Sequence, residues 1–126
     1  MYNGRRGNQS EATQEHRQRE DASPRLSAEA PHLASLRLML EEQRGDNAPT
    51  GISYVRPIVV ATAPAHFAIR CMEPRCDGRH DVTEPIMQAI RQRLARYVGH
   101  SACHGVVNNA LCQRTLNYVC EATYRS

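Results

Sequence analysis

The chain has 126 residues, with 16 arginines and no lysine, 13 acidic residues, five cysteines, one Phe and no Trp, and a formal net charge of +3. That length has room for one domain of ordinary size. No apolar run approaches the ~20 residues of a membrane span, and the N-terminus lacks the tripartite pattern of a signal peptide, so a cytoplasmic protein is expected. The net charge lies entirely in residues 70–126, which carry eight Arg against five acids. That excess is too small to define a nucleic-acid binder by itself, and an all-arginine basic set fits the coding bias of a GC-rich genome.

From Met1 to about Ala30 nearly every residue is polar, charged or small, and Leu26 is the only large aliphatic side chain after the first two residues. Such a segment buries too little apolar surface to offset the entropy of ordering it, so residues 1–30 are expected to be a disordered arm ahead of a single α+β domain over 31–126. Leu33, Leu36 and Leu40 recur at helical spacing between Pro31 and Gly45, which predicts an accessory helix over Pro31–Arg44. Its apolar face either closes the core or forms a homodimer seam. Gly45 to Gly51 is a loop rich in turn formers.

Ile52–Thr62 is dense in β-branched residues, and Pro57 places this strand at an edge or breaks it there. His66–Cys71 alternates, with Phe67, Ile69 and Cys71 on one face, and the two strands are expected to form a hairpin. Thr83 is the expected N-cap for a helix over Glu84–Val98 with Ile86, Ile90, Leu94 and Tyr97 on one face and Gly99 as its stop. The final strand is Leu116–Tyr124, where Leu116, Tyr118, Cys120, Ala122 and Tyr124 form one apolar face. The fold class expected is therefore α+β: a small three-stranded antiparallel sheet with one packed helix, an accessory helix and a cysteine/histidine zinc site.

Cys71 and Cys76 bracket a four-residue loop, His80 follows, and beyond the helix come Cys103, His104 and Cys112. In a reducing compartment, cysteines grouped with histidines indicate metal more often than disulfides. A structural zinc site needs four ligands in tetrahedral array. Cys71, Cys76, Cys103 and Cys112 are the first choice, with His80 or His104 as replacement. The spacings match no standard finger or ribbon. If the final strand runs antiparallel to His66–Cys71, Cys112 lands beside Cys71 and one shared site forms; if it runs parallel, two local disulfides, Cys71 with Cys76 and Cys103 with Cys112, are favoured. Unlinked thiols are the third alternative. Cys120 falls on an apolar strand face and reads as a buried small hydrophobe.

The chain lacks His-Glu-x-x-His, His-x-Glu with Pro-Cys-x-x-Cys, and phosphate-loop signatures. The function expected is a non-enzymatic binding or adaptor module with a structural zinc and a protein partner. An alternative is nucleic-acid binding through Arg75, Arg79, Arg91, Arg93 and Arg96, with Arg70 beside them. A third is a thiol redox protein or zinc enzyme, which requires a low-pKa thiol or an open zinc position.

Overall fold

The structure is a computed structural model that describes residues 14–45 and 49–125. In chain order its elements are α1 (residues 14–22), α2 (Leu26–Glu29), β1 (Leu33–Gln43), β2 (Pro49–Ile58), β3 (Ala68–Arg70), β4 (Arg79–Asp81), α3 (Thr83–Arg91), β5 (Arg96–Ala102), β6 (Val106–Val107), β7 (Ala110–Leu111) and β8 (Thr115–Tyr124). The main sheet has four antiparallel strands in the order β2-β1-β8-β5, and β3-β4 and β6-β7 are separate two-stranded hairpins. The class is α+β, with four strands in the main sheet in place of the three expected.

The accessory helix expected over Pro31–Arg44 is instead β1, the central strand paired on both sides by β2 and β8. Leu36, Leu38, Leu40 and Glu42 point to one face and are buried, a period of two that Leu33 does not join because the register shifts between Leu33 and Ser35. That irregularity gives Leu33, Leu36 and Leu40 their helical spacing. Alternation over the remaining strand, with a partner on either edge, outweighs the helix propensity of Leu and Glu.

The helix expected over Glu84–Val98 stops at Arg91. Arg93 adopts a left-handed conformation (φ 56°), and Leu94 N–H bonds back to the Ala89 carbonyl, closing the helix in the Schellman manner. The chain then reverses into β5. Gly99, expected as a helix stop, lies inside β5, where a Cβ would stand 2.5 Å from the Tyr118 ring across the ladder. Val82, not Thr83, is the N-cap residue; Thr83 Oγ1 instead accepts the Phe67 N–H at 2.7 Å, and Asp81 Oδ1 accepts the Thr83 N–H at 3.1 Å.

The expected hairpin between Ile52–Thr62 and His66–Cys71 does not form. The first of these segments pairs with β1 as the edge strand β2, which accommodates Pro57, and the second supplies β3, which pairs with β4. Phe67, Ile69 and Cys71 are buried as the alternation implied. Of the arm expected to be disordered, residues 1–13 lie outside the described residues. In the rest of that segment, residues 14–22 are helical, Leu26 is fully buried, and its N–H bonds to the Ala63 carbonyl at 2.9 Å. One leucine at the right place anchors a polar segment.

Ile86, Met87 and Ile90 of α3, with Leu26, Phe67, Ile69 and Val82, join Leu36, Leu38, Leu40, Leu116, Tyr118, Cys120 and Ala122 of the sheet in one buried cluster. Cys120 is the small hydrophobe its alternation implied. A second cluster holds Cys71, Cys76, Cys103 and Cys112, with Val107 packed against them.

Candidate metal centre

Each pair of cysteines is carried by a small hairpin. Cys71 follows β3 and Cys76 precedes β4. Cys103 and Cys112 flank β6-β7, the tip of the long connection between β5 and β8. The two hairpins repeat one local design in opposite chain order. In the first, Gly78 N–H donates to Cys76 Sγ at 3.3 Å and the Gly78 carbonyl accepts Cys71 N–H at 3.0 Å. In the second, Gly105 N–H donates to Cys103 Sγ at 3.3 Å and the Gly105 carbonyl accepts Cys112 N–H at 2.8 Å. A Cys-x-Gly step thus turns a backbone donor onto the sulfur while fixing the other cysteine of the pair opposite it. Amide donors of this kind stabilise a thiolate.

The four Sγ atoms lie within 4.8 Å of one another, and all four residues are buried. Cys71 Sγ is 3.7 Å from Cys112 Sγ, and Cys76 Sγ is 3.7 Å from Cys103 Sγ. Those separations exceed the ~2.05 Å of a disulfide, and all five cysteines are free. These two separations lie close to the edge of a tetrahedron with ~2.3 Å metal–sulfur bonds, which is about 3.8 Å. The close contacts join Cys71 to Cys112 and Cys76 to Cys103, across the hairpins. A group of this donor set and spacing could hold a metal ion such as zinc.

The route to this convergence differs from the one expected. β8 does not pair with the Cys71 strand; it pairs with β1 and β5. Because α3 is short and β5 returns antiparallel to β8, Cys103 N–H bonds to the Arg114 carbonyl at 2.9 Å, and both second-hairpin cysteines emerge at the end of the sheet where Cys71 lies.

Burial raises the thiol pKa of Cys71; a bond from the Glu73 backbone lowers it in part, and the neighbouring Glu42 carboxylate raises it further. Burial likewise pushes Cys103 up to about 11, partly offset by the Gly105 backbone bond. Without a cation, Cys71 and Cys103 keep their protons near neutral pH. A divalent ion inverts that preference by binding the thiolates directly.

Around Cys71 lies a polar shell of which the sequence singles out His80 alone, as an alternate ligand. Glu42 is fully buried; Oε2 accepts Met72 N–H at 3.0 Å and lies 3.1 Å from His80 Nε2, while Oε1 accepts from Arg114 at 3.1 Å and lies 3.9 Å from Cys71 Sγ. Arg114 also reaches Glu73 at 3.3 Å. His80 is fully buried and points at Glu42, and among the described residues Nδ1 has no hydrogen-bond partner. Glu42, Cys71 and His80 form a second group close enough to hold an ion. The Arg114 guanidinium already on Glu42 favours the reading of this group as an outer shell packed against Cys71, in which the guanidinium neutralises the carboxylate beside the sulfur. The other alternate ligand, His104, is exposed on the second hairpin. Only the alternation of Leu36, Leu38 and Leu40, continued one step, would have flagged Glu42 as an inward carboxylate.

The arginines weighed as nucleic-acid contacts are spread over several elements. Arg75 pairs with Glu73 at 3.2 Å and Arg91 with Glu84 at 3.5 Å. Arg79 on β4 faces Arg70 on β3, Arg93 sits at the helix exit, and Arg96 on β5 is opposite Glu121. No helix among the described residues is long and apolar enough to cross a membrane.

Two short hairpins converging four buried thiols at one end of an antiparallel sheet define a protein with a candidate four-cysteine metal centre. No protein-family model, curated protein or solved structure matches the chain.

Proposed function

We propose that this chain is a non-enzymatic binding module whose two cysteine hairpins are held by one structural zinc ion on Cys71, Cys76, Cys103 and Cys112. The observation that carries the reading is the approach of the four buried Sγ atoms to within 4.8 Å, with two contacts at 3.7 Å. Thiolate-only coordination suits zinc, and a site filled by four protein ligands has no position left for substrate, which favours a structural role. Burial and raised thiol pKa values weigh against a redox role, which needs an accessible thiolate. The surface that supports binding is the sheet face turned away from the core, where exposed Val55 and Val98 flank Met39 and Val119.

The test is metal content per chain on protein purified without a histidine tag, paired with a thiol count under denaturing conditions with and without reductant. One zinc per chain and five thiols before reduction are expected. Absence of metal together with a single free thiol before reduction would overturn the zinc reading.

A further inference from the structure

The four-stranded sheet buries one face under α2 and α3, and on the other the ladder registers align side chains in rows that cross all four strands. Val55 is opposite Met39, Met39 opposite Val119, and Val119 opposite Val98, giving an unbroken apolar row from edge to edge. Val55 is 55% exposed and Val98 58% exposed. On one side of it runs the row Pro57, Arg37, Glu121, Arg96, and on the other Ser53, Glu41, Asn117, His100. Arg37 and Glu121 are themselves paired at 2.6 Å.

These rows are self-complementary. A two-fold axis parallel to the strands and passing between β1 and β8 reverses the strand order while keeping each row facing its own copy. Val55 then meets Val98 of a second chain, Met39 meets Val119, Arg37 meets Glu121, and Glu41 meets the uncharged Asn117. No two like charges are opposed. The face-to-face stacking is that of an aligned β-sandwich, and the contact is isologous, as a two-fold dimer requires.

We propose that the outer face of the sheet is a self-association surface whose occupant is a second copy of this chain, packed sheet to sheet in this register. The inference rests on the binding-module reading and names its partner. Four strands ~4.8 Å apart and about seven residues long give a face of roughly 19 by 24 Å. That is at the small end for protein interfaces, so the dimer is reversible and concentration-dependent.

The experiment is sedimentation equilibrium of the full chain over a wide micromolar range, on wild type, Val98→Glu, Arg37→Glu and Glu121→Arg, and an equimolar mixture of the last two. Wild type is expected to shift from monomer to dimer. Each single variant is expected to weaken the dimer by about tenfold or more, since each buries a charge or opposes like charges. The mixture is expected to restore it. In a mixed dimer the glutamate introduced at position 37 of one chain faces the arginine introduced at position 121 of the other, and the native Glu121 of the first faces the native Arg37 of the second. Damage to the internal Arg37–Glu121 pair would not be repaired by mixing, so the mixture separates register from folding. A wild type monomeric throughout overturns the second copy as partner, and so does a dimer unaffected by Val98→Glu or a mixture without recovery. Metal and thiol content measured on the same samples tests the zinc reading separately.

Discussion

A Cβ placed on Gly105 would stand 2.5 Å from the Sγ of Cys76, on the opposite hairpin, and one on Gly78 would stand 2.9 Å from the Sγ of Cys103. Each glycine therefore serves its own hairpin through an N–H bond to sulfur and the other through the room it leaves. The backbones approach as closely, with a Gly78 Cβ 2.9 Å from the Gly105 Cα. The centre is built from interlocked hairpins, and its weakest tolerance is for volume at these two positions.

Gly105→Ala is accordingly expected to lower zinc affinity by about 10- to 100-fold, the range seen when groups that support ligands are disturbed. Competition with a chromogenic chelator measures it. A metal affinity equal to wild type would show that the hairpins can separate without cost. Ala110→Gly, on exposed β7, serves as the control and is expected to leave affinity unchanged.

Chelation is expected to loosen the molecule unevenly. The segment 103–114 contributes no side chain to the main core, and its buried residues are Cys103 and Cys112 alone. Hydrogen exchange after metal removal should accelerate first in 103–114 and 71–78, while β1 and β8, at the centre of the sheet, stay protected. Uniform loss of protection would instead mean that metal and core fold as one unit.

Glu42→Ala is expected to destabilise the protein by about 3 kcal/mol, because His80 and Arg114 lose a buried carboxylate partner together. The Arg114→Met variant should cost at least as much, since it leaves the fully buried Glu42 carboxylate without its cation, whereas the arginine freed by Glu42→Ala keeps some solvent contact. Urea unfolding of both singles and the double variant should give a coupling energy of about 1 kcal/mol or more. Additive effects would show that the two side chains do not act as one network.

Cys120, buried beneath the sheet, has its thiol pushed up from 9.0 to about 11 by burial, with a smaller contribution from Glu121. The folded protein keeps a proton that the unfolded chain releases, so this contribution is complete below pH 9 and is lost as pH rises towards 11. It amounts to about 2 to 3 kcal/mol at the upper end. Cys120→Ala should cost about 1 kcal/mol near neutral pH through lost packing, leave zinc content unchanged, and show a smaller fall in urea midpoint from pH 8 to pH 11 than wild type. Equal pH dependence in the two proteins would place the thiol in water.

The parts of the fold visible in the sequence were those set by local alternation undisturbed by irregularity. β8 reads directly from Leu116, Tyr118, Cys120 and Ala122, and the buried face of Phe67, Ile69 and Cys71 reads the same way. The four cysteines stood out because few residue types are so reactive and so grouped. Where a single irregularity intervened, the period misled: a shift near Ser35 made β1 look helical, and Leu94 and Tyr97 extended α3 through a left-handed turn at Arg93 that no glycine announced.

By itself the sequence determined which groups are available: a thiol set without a standard spacing, enough apolar residues for one core, and a polar leading segment. Tertiary structure decided which of them meet. Strand pairing acts between residues far apart in the chain, such as Leu38 with Cys120, and its preferences depend on neighbours that the sequence does not name. The same is true of Glu42, whose burial is tolerable only because β4 and the segment before β8 bring His80 and Arg114 to it. A charge inside a protein is placed by its partners, and partners are chosen by the fold.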